Sequence, residues 1–489
     1  MSIVNPITIE ARPTSTCVIC SGDGRFAEAP TVSIFPFLKQ HLIESEWDPK
    51  RKINKPMYYY YKYEKDTGNL NMPAKILPFL VNYITNHSLR YDIVQIPPNE
   101  SESIDIINLE NFQDREDQID AINFLISEAP MKALQLQTGS GKTFIAVRAI
   151  MELKLRTLVV VPAYVMSQWH ISLQNMCKVE VGVLQGNKSI LKLIDARYET
   201  NVGVFLASIN TLQEYAAGVG IYNTFPSFRS FIRDLKIGIK IVDEYHTSFS
   251  ANTIIDVQSD VANNLYLSAT HFRSDRNSNA IFQKIFPKEI RFDEQEYNRY
   301  VNITEYQYSF GDIHDKLVST NRGWSEFKYE QLLLRSQAKL EKFVDSVLHP
   351  VMEEYYITKK HGNQKLLILV GLREFAEFLA LWIKEHYPDY SVSSFLYGDP
   401  DELLESTDII ISTLGSCGVG RDIKGLRSVI LFASFGAESL TMQTIGRLRK
   451  MEDTPEFVYL VNTGIKAHRK QAAKRRPIYN HIGKTFKIV

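Results

Sequence analysis

The segment LQTGSGKT, from Leu136 to Thr143, has the residue types and spacing of a phosphate-binding turn. It follows a short apolar run and precedes FIAVRAIMEL, whose apolar residues recur at helical spacing. Gly139 and Gly141 let the backbone turn its amides toward phosphate oxygens. Lys142 has the reach to contact the β and γ phosphates, and the Thr143 hydroxyl is a suitable ligand for Mg²⁺. The segment predicts an ATP site whose nucleotide-binding residues are Thr138, Gly139, Ser140, Gly141, Lys142 and Thr143.

Two adjacent acids, Asp243 and Glu244, end the apolar run in IKIVDEYH. Such a pair is by itself more often part of a solvated loop, but its position after a phosphate-binding segment favours a functional pair. At the C-terminal end of a buried strand, Asp243 would hold Mg²⁺ through its hydration shell, and Glu244 would polarise the attacking water. The pair therefore predicts hydrolysis of ATP, with Lys142 as a third catalytic group. His246 either links this site to a partner domain or is a capping or core histidine.

These side chains need strands that end at a common edge, and the chain has two series of suitable apolar runs. The first series lies at residues 159–162, 202–208, 239–244 and 265–270, and the second at 366–371, 409–413, 429–434 and 457–462. Runs of this kind, separated by helix-length segments, indicate parallel sheets covered on both faces. The sequence predicts an α/β fold of two tandem parallel-sheet domains after a small α+β N-terminal domain. The predicted domains are residues 1–108, 109–295 and 296–489.

The composition limits the class of protein. A chain of 489 residues with 44% apolar and 23% charged residues is expected to fold into more than one globular domain. Because 56 basic side chains balance 56 acidic ones, any basic surface must be local. Cys17 and Cys20 have the spacing of a zinc ligand pair but no second pair follows, so buried thiols are the preferred interpretation. With no leader or membrane-length apolar run, we expect a cytoplasmic protein with no membrane partner.

Further segments resemble the motifs of superfamily 2 helicases and translocases. VVVPAYVMSQW resembles motif Ia, SINTL motif Ib and SAT motif III, whereas LLILVG, STLGSCGVGRD and QTIGRLRK resemble motifs IV, V and VI. The resemblance implies two RecA-like domains with ATP in the cleft between them. The DEYH spelling is that of DExH members, and the ensemble is most similar to the phage UvsW-type recombination and repair helicases.

The resemblance also implies roles for residues outside the two nucleotide segments. Arg115 and Gln118, in DREDQIDAI, resemble the Q motif that reads the adenine edge. Gly420 and Asp422, in motif V, would couple the nucleotide site to the nucleic acid. The residues implied to contact the nucleic-acid backbone are Gln168, Ser208, Thr211, Arg373 and Thr413.

Motif VI departs from the usual Q-x-x-G-R-x-x-R pattern of the family. The second arginine position is occupied by Lys450, and Arg449 lies one residue earlier. If the helix were regular, Arg449 would point about 100° away from that position. An arginine fork serves two phosphate oxygens at once, whereas a lysine offers a point charge. We therefore expect a locally distorted turn with Arg449 as the finger and Arg447 as a second phosphate contact; the alternative is Lys450 on a regular helix.

Two basic regions are candidates for contact with nucleic acid. One interleaves the run Tyr58 to Tyr61 with Lys50, Arg51, Lys52, Lys55, Lys62 and Lys65. These residues either bind phosphates and stack on bases or simply line a strand. The other runs from Phe457 to Val489 and has eight basic residues and no acid, a pattern that favours phosphate contact over a solvated face.

Taken together, the motifs predict a monomeric ATP-dependent DNA helicase or translocase, with ATP and Mg²⁺ as cofactors. By resemblance, it would act on forked or four-way DNA during recombination and repair. One alternative is an RNA helicase, although that group usually has Asp where His246 stands. A second alternative is a restriction-type motor or an ATP-switched clamp that does not separate strands. A restriction enzyme would be expected to have a nuclease, and no metal-nuclease carboxylate pattern stands out in the sequence.

Overall fold

The computed structural model describes residues 5–48, 53–109, 113–137, 139–268, 276–293, 299–311, 313, 315–320, 323–396, 398–400, 402–417, 423–435 and 438–489. The chain divides into two compact units. The first unit contains residues 1–136 and 140–294, and the second contains residues 137–139 and 295–489.

The strands, in chain order, are β1 (Ile7–Ala11), β2 (Ser15–Ile19), β3 (Ile43–Asp48), β4 (Ile53–Tyr59), β5 (Lys62–Glu64), β6 (Asn69–Pro73), β7 (Tyr91–Gln95), β8 (Ile107–Asn108), β9 (Met131–Gln135), β10 (Thr157–Val161), β11 (Cys177–Lys178), β12 (Val181–Leu184), β13 (Val204–Ser208), β14 (Ile239–Asp243), β15 (Asn263–Ser268), β16 (Arg291–Asp293), β17 (Asn302–Tyr308), β18 (Ser319–Thr320), β19 (Gly323–Trp324), β20 (Lys365–Val370), β21 (Val392–Phe395), β22 (Ile409–Thr413), β23 (Leu426–Leu431), β24 (Glu456–Asn462) and β25 (Thr485–Ile488). The α-helices are α1 (Phe35–His41), α2 (Leu77–Asn86), α3 (Glu116–Ile126), α4 (Lys142–Leu153), α5 (Met166–Met176), α6 (Asn187–Asp195), α7 (Ile209–Ala217), α8 (Phe228–Asp234), α9 (Phe249–Asp256), α10 (Arg276–Ile285), α11 (Glu326–Leu334), α12 (Gln337–Phe343), α13 (His349–Tyr355), α14 (Arg373–His386), α15 (Glu402–Ser406), α16 (Leu414–Cys417), α17 (Glu438–Ile445) and α18 (Lys466–Ile482).

The first unit begins with a small mixed sheet in the order β5-β6-β2-β1-β7. Its pairs are antiparallel except for the parallel pair of β1 and β7, and β3 and β4 form a separate antiparallel hairpin. Of the tyrosine run, Tyr60 is buried against Phe249, while Tyr58 and Tyr59 are exposed. Cys17 and Cys20 are buried free thiols, and burial raises their pKa values to about 11 and about 12.

A seven-stranded sheet forms the rest of this unit, in the order β12-β13-β10-β14-β15-β9-β16. Every pair in it is parallel. The central strands β10, β13 and β14 are buried along their whole length, because helices cover both faces. One hydrophobic cluster joins this sheet to the N-terminal sheet, so the two sheets share a core.

The second unit has its own seven-stranded parallel sheet, in the order β21-β22-β20-β23-β24-β17-β25. The four apolar runs of the second predicted series form β20, β22, β23 and β24. The predicted fold class, two tandem RecA-like sheets with a small α+β N-terminal domain, is confirmed. The domain boundaries at 108 and 295 stay predictions. Within the described residues, the helices are too short or too polar to cross a bilayer.

Candidate nucleotide-binding site

The phosphate-binding segment connects β9 to α4, which is the predicted strand-turn-helix context. Gly141 has a φ of 93°, and a Cβ atom built on it would lie 2.6 Å from Nε2 of Gln118. Only glycine therefore fits this position without strain. Lys142 opens α4, and its ammonium donates to the carbonyl of Leu136 at 3.1 Å. Thr143 follows in the first turn with its side chain partly exposed; Thr138 lies outside the described residues.

The structure brings both Q-motif residues to this turn. The backbone amide of Arg115 donates to Oε1 of Gln118 at 3.2 Å, which caps α3. The Arg115 guanidinium and the Gln118 amide then donate to the same carbonyl, that of Ser140, at 2.7 and 3.0 Å. Both ends of the Gln118 amide thus hold backbone groups and fix the position of the turn. The reading of adenine by Gln118 stays a prediction.

Asp243 ends β14 with its carboxylate buried. Its Oδ2 accepts a hydrogen bond from Nε1 of Trp169 at 2.9 Å, and its Oδ1 accepts one from the amide of Glu244 at 2.9 Å. Burial and the neighbouring Glu244 charge raise the pKa of Asp243 to about 6. Trp169 is fully buried on α5, in the segment assigned to motif Ia, but the sequence analysis did not single it out. An indole donor beside an apolar face was the only sequence feature that could have indicated this role.

Glu244 and His246 lie just beyond the end of β14. Glu244 has a φ of 50°, which is uncommon for a residue with a Cβ and is typical of functional turns. Nδ1 of His246 lies 2.8 Å from the Ser268 hydroxyl and 3.4 Å from Oε2 of Glu244. His246 is therefore buried within the first unit, where it joins the acid pair to the first residue of the SAT segment. Its predicted link to a partner domain stays a prediction.

Motif VI lies in the second unit, where α17 ends at Ile445. Arg447, Arg449 and Lys450 are therefore outside the helix, and the regular-helix alternative is wrong because the amides of Arg447 and Leu448 bond only three residues back. The Arg449 guanidinium is partly buried and donates back to the Gly446 carbonyl. Arg447 is buried, whereas Lys450 is exposed. The roles of Arg449 as the finger and of Arg447 as a second phosphate contact stay predictions.

The five residues predicted to contact nucleic acid fall into two groups. Gln168 on α5 and Arg373 at the start of α14 have exposed side chains, so they are available to a ligand. The other three, Ser208, Thr211 and Thr413, are buried.

Two of these buried residues hold turns of the backbone. The Thr211 hydroxyl accepts a hydrogen bond from the amide of Gly186 at 2.8 Å. The Thr413 hydroxyl accepts one from the amide of Ser416 at 3.2 Å and donates to its hydroxyl at 2.9 Å. Gly420 and Asp422 of motif V lie outside the described residues.

A buried acid, Glu330 on α11, was missed by the sequence analysis. Its two carboxylate oxygens accept hydrogen bonds from the amides of Gly371 and Leu372, at 2.6 and 2.5 Å. Burial raises the pKa of Glu330 to about 7. These contacts fix the motif IV loop immediately before Arg373, so Glu330 positions the N-terminus of α14.

The basic N-terminal cluster is only partly available for binding. Lys62 donates to the carbonyls of Ala216 and Ala217, at 3.3 and 3.4 Å, and so helps to attach the N-terminal sheet to α7. Lys55 and Lys65 are exposed, as are the rings of Tyr58 and Tyr59. The remaining members, residues 50–52, lie outside the described part of the chain.

Comparisons with known proteins agree with this geometry. Residues 111–273 match the family model described as type III restriction enzyme, res subunit. A protein of Invertebrate iridescent virus 6 that is assigned as helicase 161L is 24% identical over 377 residues, which cover 72% of this chain and 77% of the relative.

Two solved structures share the fold. A variant of S. cerevisiae Dbp5 bound to RNA and ADP BeF3 has a TM-score of 0.50 and 15% identity, over 84% of this chain and 93% of that one. The ATP-dependent type ISP restriction-modification enzyme LlaBIII bound to DNA has a TM-score of 0.53 and 12% identity, over 77% of this chain and 31% of that one. The sequence similarity to a viral helicase and to a restriction enzyme subunit agrees with the geometry of the nucleotide site, and the two solved structures show the shared fold.

Proposed function

We propose that this chain is an ATP-driven motor that translocates on DNA and remodels branched DNA during recombination and repair. The observation that supports the proposal most directly is the meeting of a phosphate-binding turn and an acid pair, of which Asp243 is buried, at one edge of one parallel sheet. Strands β9 and β14, which lead into them, are separated only by β15. Ligands of such sheets bind in the crevice at the carboxyl ends of the strands.

The residues of this site divide the work of ATP hydrolysis. Lys142 releases the Leu136 carbonyl and binds the phosphates together with the amides of the turn. Glu244 orients the attacking water, and its Oε2 lies 3.4 Å from Nδ1 of His246. By the resemblance of motif VI, Arg449 would supply charge to the transferring phosphoryl group, with Arg447 as a second contact.

The oxygens of Thr143 and Asp243 fit a magnesium ion. Both residues offer hard oxygen ligands, which Mg²⁺ prefers. The Asp243 carboxylate is held by the Trp169 indole, so its orientation is fixed before a ligand arrives. When bound there, Mg²⁺ neutralises charge on the phosphates. Trp169 is therefore a positioning residue of the proposed nucleotide site.

DNA is the preferred nucleic acid for two reasons. The family model that matches residues 111–273 is named after a restriction enzyme subunit, and LlaBIII, which shares the fold, is bound to DNA. The preference for branched DNA rests on the resemblance to UvsW-type helicases. Gln168 and Arg373, the exposed members of the predicted set, would contact phosphates and so bind without regard to base sequence.

An RNA helicase is the second candidate, because the Dbp5 structure with the same fold contains RNA. The two candidates differ in the polynucleotide that stimulates ATP turnover. We expect forked and four-way DNA to stimulate the ATPase most, duplex and single-stranded DNA less, and RNA least. A matched Lys142→Ala protein should show no stimulated turnover, because it lacks the charge that binds the phosphates.

The same assay tests the proposal. Stimulation by RNA alone would replace the DNA motor by an RNA helicase. Equal turnover in the Lys142→Ala protein and the wild type would show that the assignment of the nucleotide site is wrong.

A further inference from the structure

The C-terminal helix α18 has two faces of different chemistry. His468, Ala472, Arg475, Tyr479 and Ile482 recur at helical spacing and are buried in the second unit. The opposite face is exposed and carries three lysines, Lys466, Lys470 and Lys474. Residues four apart lie one above another on a helix, so these lysines form a single row.

Two arginines of the same helix hold it to the sheet. Arg476 forms two hydrogen bonds with Glu305 of β17, at 2.8 and 2.6 Å. Burial alone raises the pKa of Glu305, but hydrogen bonds from Arg476, Tyr459 and Gln307 outweigh it and lower that pKa. The Arg475 guanidinium is buried over the rings of Tyr459 and Phe435, 4.7 and 5.3 Å from their centres. These two arginines are therefore not available to a ligand, contrary to an interpretation of the whole basic run as a phosphate contact.

The three lysines differ from the arginines in having no protein partner. Within the described part of the chain, their ammonium groups form no ion pair or hydrogen bond, and the backbone amide of Lys466 donates to the Asp315 carboxylate at 2.8 Å. The run from residue 457 to 489 has no acid, so no neighbour in sequence neutralises them. Because Arg475 and Arg476 attach the helix to the sheet, the row has a fixed place on the second unit.

The dimensions of the row match a nucleic-acid strand. Lys466 and Lys474 are separated by eight residues, or about 12 Å along a helix axis. One strand of a duplex rises about 3.4 Å per phosphate, so the row spans about three phosphates.

We propose that Lys466, Lys470 and Lys474 form a binding site for the phosphate backbone of the nucleic acid on which the motor acts. This inference rests on the proposed function, since it needs a polynucleotide ligand. The site reads no base, because it offers only ammonium groups. It supplies affinity and a fixed orientation of the second unit on the strand.

The test compares two double substitutions with the same spacing. Lys470→Gln with Lys474→Gln removes two members of the row. Lys188→Gln with Lys192→Gln is the matched control, because both lysines are exposed on α6, four residues apart, with Asp195 one turn beyond them. Binding of a duplex and of a single strand is measured from low to moderate salt, and the thermal unfolding midpoint of each protein checks its fold.

We expect the row variant to reduce the magnitude of the slope of log affinity against log salt by about two, and the control to leave it unchanged. Two lost contacts change the slope by about 1.8 for duplex DNA and by about 1.4 for a single strand, so a change seen with only one of the two ligands identifies the strand type. Substitution of the same two lysines by arginine should preserve the slope.

An unchanged slope in a folded row variant overturns the inference, as does a loss of poly-glutamate binding with DNA binding intact, which would make the row a protein-docking surface. If the wild type binds no polynucleotide at all, the proposed function itself fails. These results are distinct from each other.

Discussion

Asp260 joins the N-terminal sheet to the rest of the first unit, and its neutralisation is the most direct test of that attachment. The Asp260 carboxylate pairs with Arg12 of the N-terminal sheet at 2.9 Å and with Arg229 of α8. The backbone of Asp260 has a φ of 47°, a left-handed conformation that asparagine adopts readily. Asp260→Asn therefore removes the charge while preserving the shape and the backbone.

The expected loss follows from the burial of the three groups. The Asp260 side chain is 3% exposed, and those of Arg12 and Arg229 are 19% and 24% exposed. Removing one partner of a fully buried pair costs about 3 to 5 kcal/mol. Arg229 keeps its bond to the Val257 carbonyl, and water reaches both guanidinium groups, so we expect about 2 to 3 kcal/mol. For a unit of this size that corresponds to a fall of about 5 °C in the midpoint of its thermal transition.

Thermal unfolding followed together with hydrogen exchange measures the effect. Amides of β2, whose neighbour Thr14 donates to the Asp256 carbonyl at 2.7 Å, should exchange faster in the variant. Asp23→Asn is the matched control, because its pair with Arg25 is exposed and its loss should change neither measurement. A variant with the wild-type midpoint and unchanged protection in β2 would refute the assignment of Asp260 as the attachment.

Two further predictions concern the second unit. Arg449→Ala should lower ATP turnover by about a thousandfold with little loss of DNA affinity, whereas Lys450→Ala should remain close to wild type, because only Arg449 turns back toward Gly446. The reverse result in stimulated ATPase assays would show that Lys450 is the finger. Burial and the Arg475 charge lower the pKa of His468 to about 3, so the folded state binds fewer protons than the unfolded state between pH 3 and about 6.5, and stability falls as the pH is lowered through this window. The free energy of unfolding of the wild type minus that of His468→Gln should fall by about 2 kcal/mol between pH 7 and pH 5 in denaturant titrations. A difference that does not depend on pH would contradict the lowered pKa.

Much of the fold could be predicted because its determinants are local. The eight apolar runs became strands of two parallel sheets, since a strand buried on both faces needs an unbroken apolar run. The turn around Gly141 was equally predictable, because a left-handed backbone against Gln118 admits only glycine. The positions of these strands and of this turn can therefore be predicted from short segments of the sequence.

Contacts between distant residues were not predictable in the same way. Trp169 and Asp243 are 74 positions apart, and Gly371 and Glu330 are 41 apart. Nothing in the spacing of either pair marks them as partners, since their meeting depends on strand order and helix packing. The end of α17 at Ile445 agrees with the distorted turn expected from motif VI, and Gly446, which follows it, is a usual signal for the end of a helix.

The burial of the Asp243 carboxylate is better explained by its place in the proposed nucleotide site than by a gain in stability. Replacing a buried ion or its partners by apolar residues is often neutral or stabilising, so burial of Asp243 needs another reason. Its indole donor, Trp169, lies next to the exposed Gln168 on the same helix. The hydrogen bond between Trp169 and Asp243 therefore connects the helix that carries Gln168 to the acid pair. Under the proposed function, this hydrogen bond gives the first unit a direct physical link between its nucleotide-binding edge and its nucleic-acid contact.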